Sequence, residues 1–163
     1  MRSLLLIICI TILISSCIRE ESHHSTVYIC NSSSKKVRLE FYRYGVVQQA
    51  ETIDSILSKD CKIVLESHDF GKTTAPSYLN NILYMDSAVV TFEDGATLVH
   101  YGYFQKTGPN PNALPSNHPR NIFGDGTGYK DNWVYTIIKE TKRSKTEETK
   151  YTFREQDYLD AQK

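Results

Sequence analysis

The tripeptide Glu93-Asp94-Gly95 separates two β-rich runs, residues 87–92 and 96–104. Asp and Gly tolerate positive φ, so this segment predicts a tight antiparallel hairpin. A second hairpin is expected from residues 132–139 and 145–153, joined by the polar turn Thr141-Lys142-Arg143-Ser144. Upstream, residues 26–30 form a short β-rich run, and Asn31-Ser32-Ser33-Ser34-Lys35 is a turn by composition. Val37, Leu39 and Phe41 alternate with Arg38, Glu40 and Tyr42, the period of a half-buried strand. Residues 51–57 give a weaker strand, Ser58-Lys59-Asp60 a turn, and residues 61–66 a further strand. Residues 68–85 have no clear period and read as loop, with a helical turn around 78–83. Thr152-Phe153-Arg154-Glu155 has capping-box spacing and predicts a short helix to about Gln162, presenting Tyr158 and Leu159 to the sheet. Seven or eight short strands and one terminal helix imply a mainly β fold. The expected architecture is an antiparallel β-sandwich, immunoglobulin-like or transthyretin-like, with a short C-terminal helix.

The segment 105–131 interrupts this pattern. Four of the five prolines fall at 109, 111, 115 and 119, and five of the eight glycines lie between 102 and 128. Such a segment cannot form regular strand, and a loop this long in a small domain is a functional surface or a mobile insertion. Tyr101, Tyr103, Phe104, Tyr129 and Trp133 border it. Aromatic faces stack on sugar rings and anchor protein interfaces, so these five form a candidate ligand-binding rim. The competing reading places them in the core, since aromatics are good strand residues, and Trp133 shares parity with Tyr135 and Ile137.

The N-terminus carries the expectation about compartment. Arg2 precedes an apolar run of 11 residues, Leu4 to Ile14, which as a helix would rise only ~16 Å. That is about half a bilayer core and fits the h-region of a secretory signal. Ile14-Ser15-Ser16-Cys17 follows and resembles the lipobox of bacterial lipoproteins. The resemblance implies cleavage before Cys17, diacylglycerol on its sulfur and acylation of the new amino terminus. Two or more acyl chains give stable anchoring. The expected organisation is a signal peptide at 1–16, a lipidated tether at 17–25 and a single β-sandwich domain at 26–163. His23-His24, within the tether, are expected to be solvated linker. The mature side chains sum to a charge of minus one, because Arg2 leaves a chain of net charge zero. There is thus no basic excess to favour nucleic acid.

Of the four cysteines, the lipobox resemblance implies that Cys9 leaves with the signal and Cys17 carries lipid. Cys30 and Cys61 remain in a compartment that permits disulfides. They form either a bridge or two separate buried thiols. Strand parity does not decide, since Cys61 shares parity with Ile63 and Leu65 whereas Cys30 falls opposite to Val27 and Ile29.

The whole organisation resembles the small lipoproteins of Bacteroidota. The best-matching pieces are residues 87–95, Pro119-Arg120-Asn121-Ile122-Phe123, and residues 151–158. Arg19-Glu20-Glu21 resembles the surface export signal of that phylum, and Ile18 departs from the aspartate that marks inner-membrane retention in enterobacteria. The resemblance implies an outer-membrane lipoprotein facing outward. Asp54-Ser55-Ile56 and Asp86-Ser87-Ala88 resemble the phylum's periplasmic O-glycosylation signal, with Ser55 and Ser87 as acceptors.

No chemical motif stands out. The chain lacks Gly-x-Ser-x-Gly, His-Glu-x-x-His and a P-loop. His68 beside Asp69, at the start of the segment read as loop, and His100 beside Tyr101 and Tyr103 are the histidines with suggestive neighbours, and His100 reads as a sheet histidine rather than a base. Residues 125–131 carry oxygen ligands but lack the terminal glutamate of a calcium loop. The expected function is that of a non-enzymatic, lipid-anchored structural or protein-interaction module, without catalytic residues, metal or cofactor. Its partners would be the membrane and another envelope protein. The alternative is a surface module that binds glycan on the aromatic rim.

Overall fold

A computed structural model of the chain describes residues 21–70, 82, 84–102, 112–123 and 133–163. Among these it forms two β-sheets and one short helix. The first sheet has strand order β5-β1-β9-β8, from β1 (Ser22–Asn31), β5 (Asp60–Phe70), β8 (Trp133–Thr141) and β9 (Ser144–Phe153). The second has order β3-β2-β6-β7, from β2 (Val37–Arg43), β3 (Val46–Val47), β6 (Ser87–Phe92) and β7 (Thr97–Tyr101), with β4 (Ile53–Ile56) also paired to β2. Alternate residues of each sheet turn inward and share one core. Val27, Ile29, Trp133, Tyr151 and Phe153 come from the first sheet, and Leu39, Phe41, Val90, Phe92 and Leu98 from the second. The mainly β sandwich with a C-terminal helix is therefore present. Its strand pairs are antiparallel except for β1 with β9, which run parallel. Parallel partners need a crossover, and the intervening chain supplies it through the second sheet.

The Asp94-Gly95 hairpin joins β6 to β7. Gly95 takes φ +87°, its N–H donates to Phe92 O at 2.9 Å, and Ala96 N–H donates to the Asp94 carboxylate at 3.2 Å. The β8–β9 turn is built differently. The Thr141 hydroxyl accepts from the amides of Arg143 and Ser144, at 3.3 and 3.0 Å.

Three expectations need correction. β1 begins at Ser22, so residues 22–25, expected in the tether, lie in the sheet between β5 and β9. Pairing on both sides extends a strand whose first residues have weak β-propensity of their own. The helix α1 (Glu155–Ala161) is capped at Arg154 rather than at Thr152. Asp157 acts as the returning acid, accepting from the Arg154 N–H at 2.7 Å. On that helix Tyr158 packs inward, 5.2 Å from the Phe92 ring, but Leu159 is exposed. The third correction concerns parity along β5. A bulge between Val27 and Tyr28 in the β1–β5 register places Leu65 opposite Val27, but Ile63 opposite Tyr28. Cys61 and Leu65 consequently lie on different faces.

With that shift Cys61 falls directly opposite Cys30, and a disulfide joins them. The bridge closes a loop of sequence separation 31. In the chain-entropy model this contributes about 3–4 kcal/mol. Cys30→Ser/Cys61→Ser is expected to lower folding stability by that amount. Urea unfolding of the oxidised protein and the double variant checks it, and equal midpoints would show that the bridge adds nothing.

Candidate functional site

Along the first sheet the inward positions change character. In β1 they run His23, Ser25, Val27, Ile29, and in the parallel neighbour β9 they run Lys145, Glu147, Thr149, Tyr151, Phe153. The apolar half belongs to the core. The polar half gathers at the end where β1 begins, and His23, Ser25, Glu147 and Thr149 are all buried there.

Glu147 is the centre of this group. Its carboxylate accepts from the Tyr135 hydroxyl and takes the Lys145 ammonium at 2.8 Å. His23 Nε2 stands 3.1 Å from the same oxygen, but without the alignment of a hydrogen bond. Burial pushes the Glu147 carboxyl upward, yet hydrogen bonds from Lys145 and Tyr135 and the nearby His23 outweigh it and hold the group below its ordinary value. The hydrogen bonds to Glu147 and Tyr135 raise Lys145 in turn. The pair stays ionised and committed to itself, which makes Glu147 a poor general base. Ser25 Oγ is buried with no hydrogen-bond partner, so no base stands against it as a nucleophile requires. Among the described residues, no group of three or more His, Cys, Asp or Glu side chains is placed to hold a metal.

The start of β1 is tied to the β8–β9 turn. Ser22 N–H donates to Arg143 O at 3.0 Å, and His24 and His68 face each other across β1 and β5 with ring centroids 5.8 Å apart. His23 and His24 are thus strand residues and not solvated linker. The alternation His23, Ser25, Val27, Ile29 was the signal for His23, but two adjacent histidines in a polar stretch hid it.

Two of the five residues expected to form the aromatic rim turn inward. Tyr101 is 7% exposed and Trp133 5%, and Trp133 donates its indole N–H to Ile122 O at 2.9 Å. Both rings belong to the interior and offer no stacking face. Tyr103, Phe104 and Tyr129 lie outside the described residues, as do Cys17 and residues 125–131. The helical turn expected around 78–83 falls largely outside them too. Ser55 is half-buried on β4, and Ser87 half-buried on β6 between β2 and β7. An open cleft of about 440 Å³ lies where β4 and β5 approach, with Glu51, Ile53, Ser55, Lys62, Ile63 and Val64 among its lining.

Sequence reasoning missed the densest polar junction, formed by residues 112–123. Leu114 extends the edge of β7 by one parallel bridge to His100. Arg120 pairs with Asp157 and Asp160 of α1, and the Tyr151 hydroxyl donates to Arg120 O at 2.7 Å. Burial pushes Asp157 up against these bonds, whereas Asp160, despite its own burial, is held at about 2 by Lys163, Arg120 and Gln156. This junction holds the helix and the long segment to the sandwich. Comparison of the chain with protein-family models, curated proteins and solved structures returned no match.

Proposed function

We propose that this chain is a lipid-anchored lipoprotein of the cell envelope, held by acyl chains on Cys17 and acting as a non-enzymatic structural or protein-interaction module. The observation that carries the reading is the placement of Cys17. It ends an apolar run through Ile14-Ser15-Ser16, and only four residues separate it from the first residue of β1. The Cys30–Cys61 disulfide fits an oxidising compartment. Arg19-Glu20-Glu21 and Ile18 favour the outer membrane and its outward face. No nucleic acid is expected among the partners, because the chain has no basic excess.

The test is the intact mass of the mature protein made in a Gram-negative envelope, with its membrane partition. The expected mass is that of residues 17–163 plus a diacylglycerol and one acyl group, and the protein pellets with membranes. Cys17→Ala is expected to lose both the acyl mass and the normal cleavage. A mature chain with an unmodified Cys17 would sink the anchor reading. Mild crosslinking of intact cells tests the interaction role, with recovery of a defined envelope protein as the expected result.

A further inference from the structure

We propose that the β8–β9 hairpin is a second membrane contact, laid on the anionic lipid surface of the leaflet that holds the Cys17 acyl chains. The inference rests on the anchor reading above and adds a face and an orientation to it. Its first support is reach. Five residue steps separate Cys17 from Ser22, and fully extended they span no more than about 18 Å. Ser22 is bonded to Arg143 of the turn, so the anchor cannot carry the hairpin tip far from the headgroups. The opposite end of the first sheet, with Asn31 and Phe153, is the distal one.

The second support is the chemistry at the tip. Residues 139–145 carry Lys139, Lys142, Arg143 and Lys145 against Glu140. Lys145 is held by Glu147, whereas no ion pair engages Lys139, Lys142 or Arg143 among the described residues. Glu21 and Asp69 are the acids on the neighbouring strand ends, and the Lys142-Arg143 pair stands at the turn beyond them. A Lys or Arg within a Debye length of an anionic surface is worth about fivefold in binding.

The third support is the strand behind the tip. β8 exposes Val134, Tyr135, Ile137 and Ile138, each 45–62% accessible, on an edge strand. In water such an edge is a template for aggregation. At a bilayer interface such exposed apolar side chains become a favourable contact. A basic tip followed by an apolar strand, next to the anchor, fits a lipid surface better than it fits solvent.

The experiment uses the mature lipidated chain in two vesicle types, phosphatidylcholine alone and phosphatidylcholine with phosphatidylglycerol. Backbone hydrogen exchange of residues 134–145 is read by mass, with the Cys17 acyl mass recorded on the same sample. The expected result is exchange about fivefold slower on the anionic vesicles, the effect of one engaged cation or more. Lys142→Glu/Arg143→Glu, at exposed positions, is expected to remove the difference while keeping the acyl mass. Equal exchange on both vesicle types, with Cys17 acylated, overturns the hairpin contact and leaves the anchor standing. A chain without acyl mass overturns both. Protection, without vesicles, of the outward-facing β8 amides that are not bonded to β9 assigns the edge to a second copy and overturns the lipid contact.

Discussion

Asn121→Ala is expected to cost about 4 kcal/mol or more of folding stability, a large share of what a domain of this size possesses. Asn121 is fully buried in the segment that the proline pattern marks as irregular. Its amide nitrogen reaches the carbonyls of Tyr101, Leu114 and Pro115 at 3.0, 2.9 and 2.9 Å. Its carbonyl accepts from the Phe123 N–H at 2.8 Å. Alanine strips a donor from three interior carbonyls and the acceptor from one interior N–H. Leu114 O and Pro115 O keep the N–H groups of Tyr101 and His118, so the loss falls mainly on Tyr101 O and Phe123 N–H. Each interior group left without its partner costs about 1–3 kcal/mol, and the vacated volume adds to that. Asn121→Asp keeps the shape but turns an oxygen toward three carbonyl oxygens, so it is expected to be at least as damaging. Asn117→Ala, at an exposed position nearby, is expected to change stability by less than about 0.5 kcal/mol. Urea midpoints of the three variants decide the matter. A tolerated Asn121→Ala would mean that residues 112–123 do not hold the fold.

The strands were legible where one short-range rule governed them. Ser87–Phe92 alternates strictly and is followed by Asp94-Gly95, and both its boundary and its turn follow from local chemistry. The turn between β2 and β3 was not legible, because it uses Tyr44 at φ 52° before Gly45 at φ 74°. Aromatic side chains rarely take that conformation, so the pair carries no turn signal of its own. Register across β1 and β5 was not legible either. One extra residue at the bulge exchanges the faces of Cys61 and Leu65, and nothing in a single strand announces it. The length of β1 came from its partners rather than from Ser22-His23-His24-Ser25.

The proposed anchor rests on Ile14-Ser15-Ser16-Cys17, a local pattern outside the described residues, whereas the site within the domain carried no such local signal. The polar end of the first sheet depends on tertiary placement. Glu147 in a run of Lys145-Thr146-Glu147-Glu148 looks like any solvated face. Only the parallel pairing of β9 with β1 sets it opposite Ser25 and beside His23. The inward placement of two rim residues was hidden for a related reason. Tyr101 and Trp133 bound the long segment in sequence, but Trp133 finds its hydrogen-bond partner in Ile122 O, so its polar edge is satisfied within the interior.

His100 gives the second large effect, an acid sensitivity built into the same junction. The imidazole is fully buried and its Nδ1 accepts the Ile122 N–H at 3.0 Å. That bond assigns the proton to Nε2, a neutral tautomer. Burial first, then the charges of Arg120 and His118, push the group down to about 3. The folded state therefore binds its proton more weakly than the unfolded chain, whose histidine titrates near 6.5. The sign follows from linkage: stability is full above about pH 6.5 and is lost as pH falls toward about 3. By pH 3 the loss from this one group is on the order of 4–5 kcal/mol, at about 1.4 kcal/mol per unit. Protonated Nδ1 would also face the Ile122 N–H donor to donor, so the junction opens where residues 112–123 meet β7. Glu147 and Asp160, both held low, lose stability in acid as well, but at lower pH and without involving His100. Asp157, which burial raises, works in the opposite direction. These contributions persist in His100→Asn, whose amide oxygen can take over the bond from Ile122 N–H. The variant is expected to be less stable than the parent at pH 7 and to lose about 4 kcal/mol less between pH 7 and 3. Urea midpoints across that range provide the measurement. Parallel pH profiles for the two proteins would show that the acid sensitivity resides elsewhere.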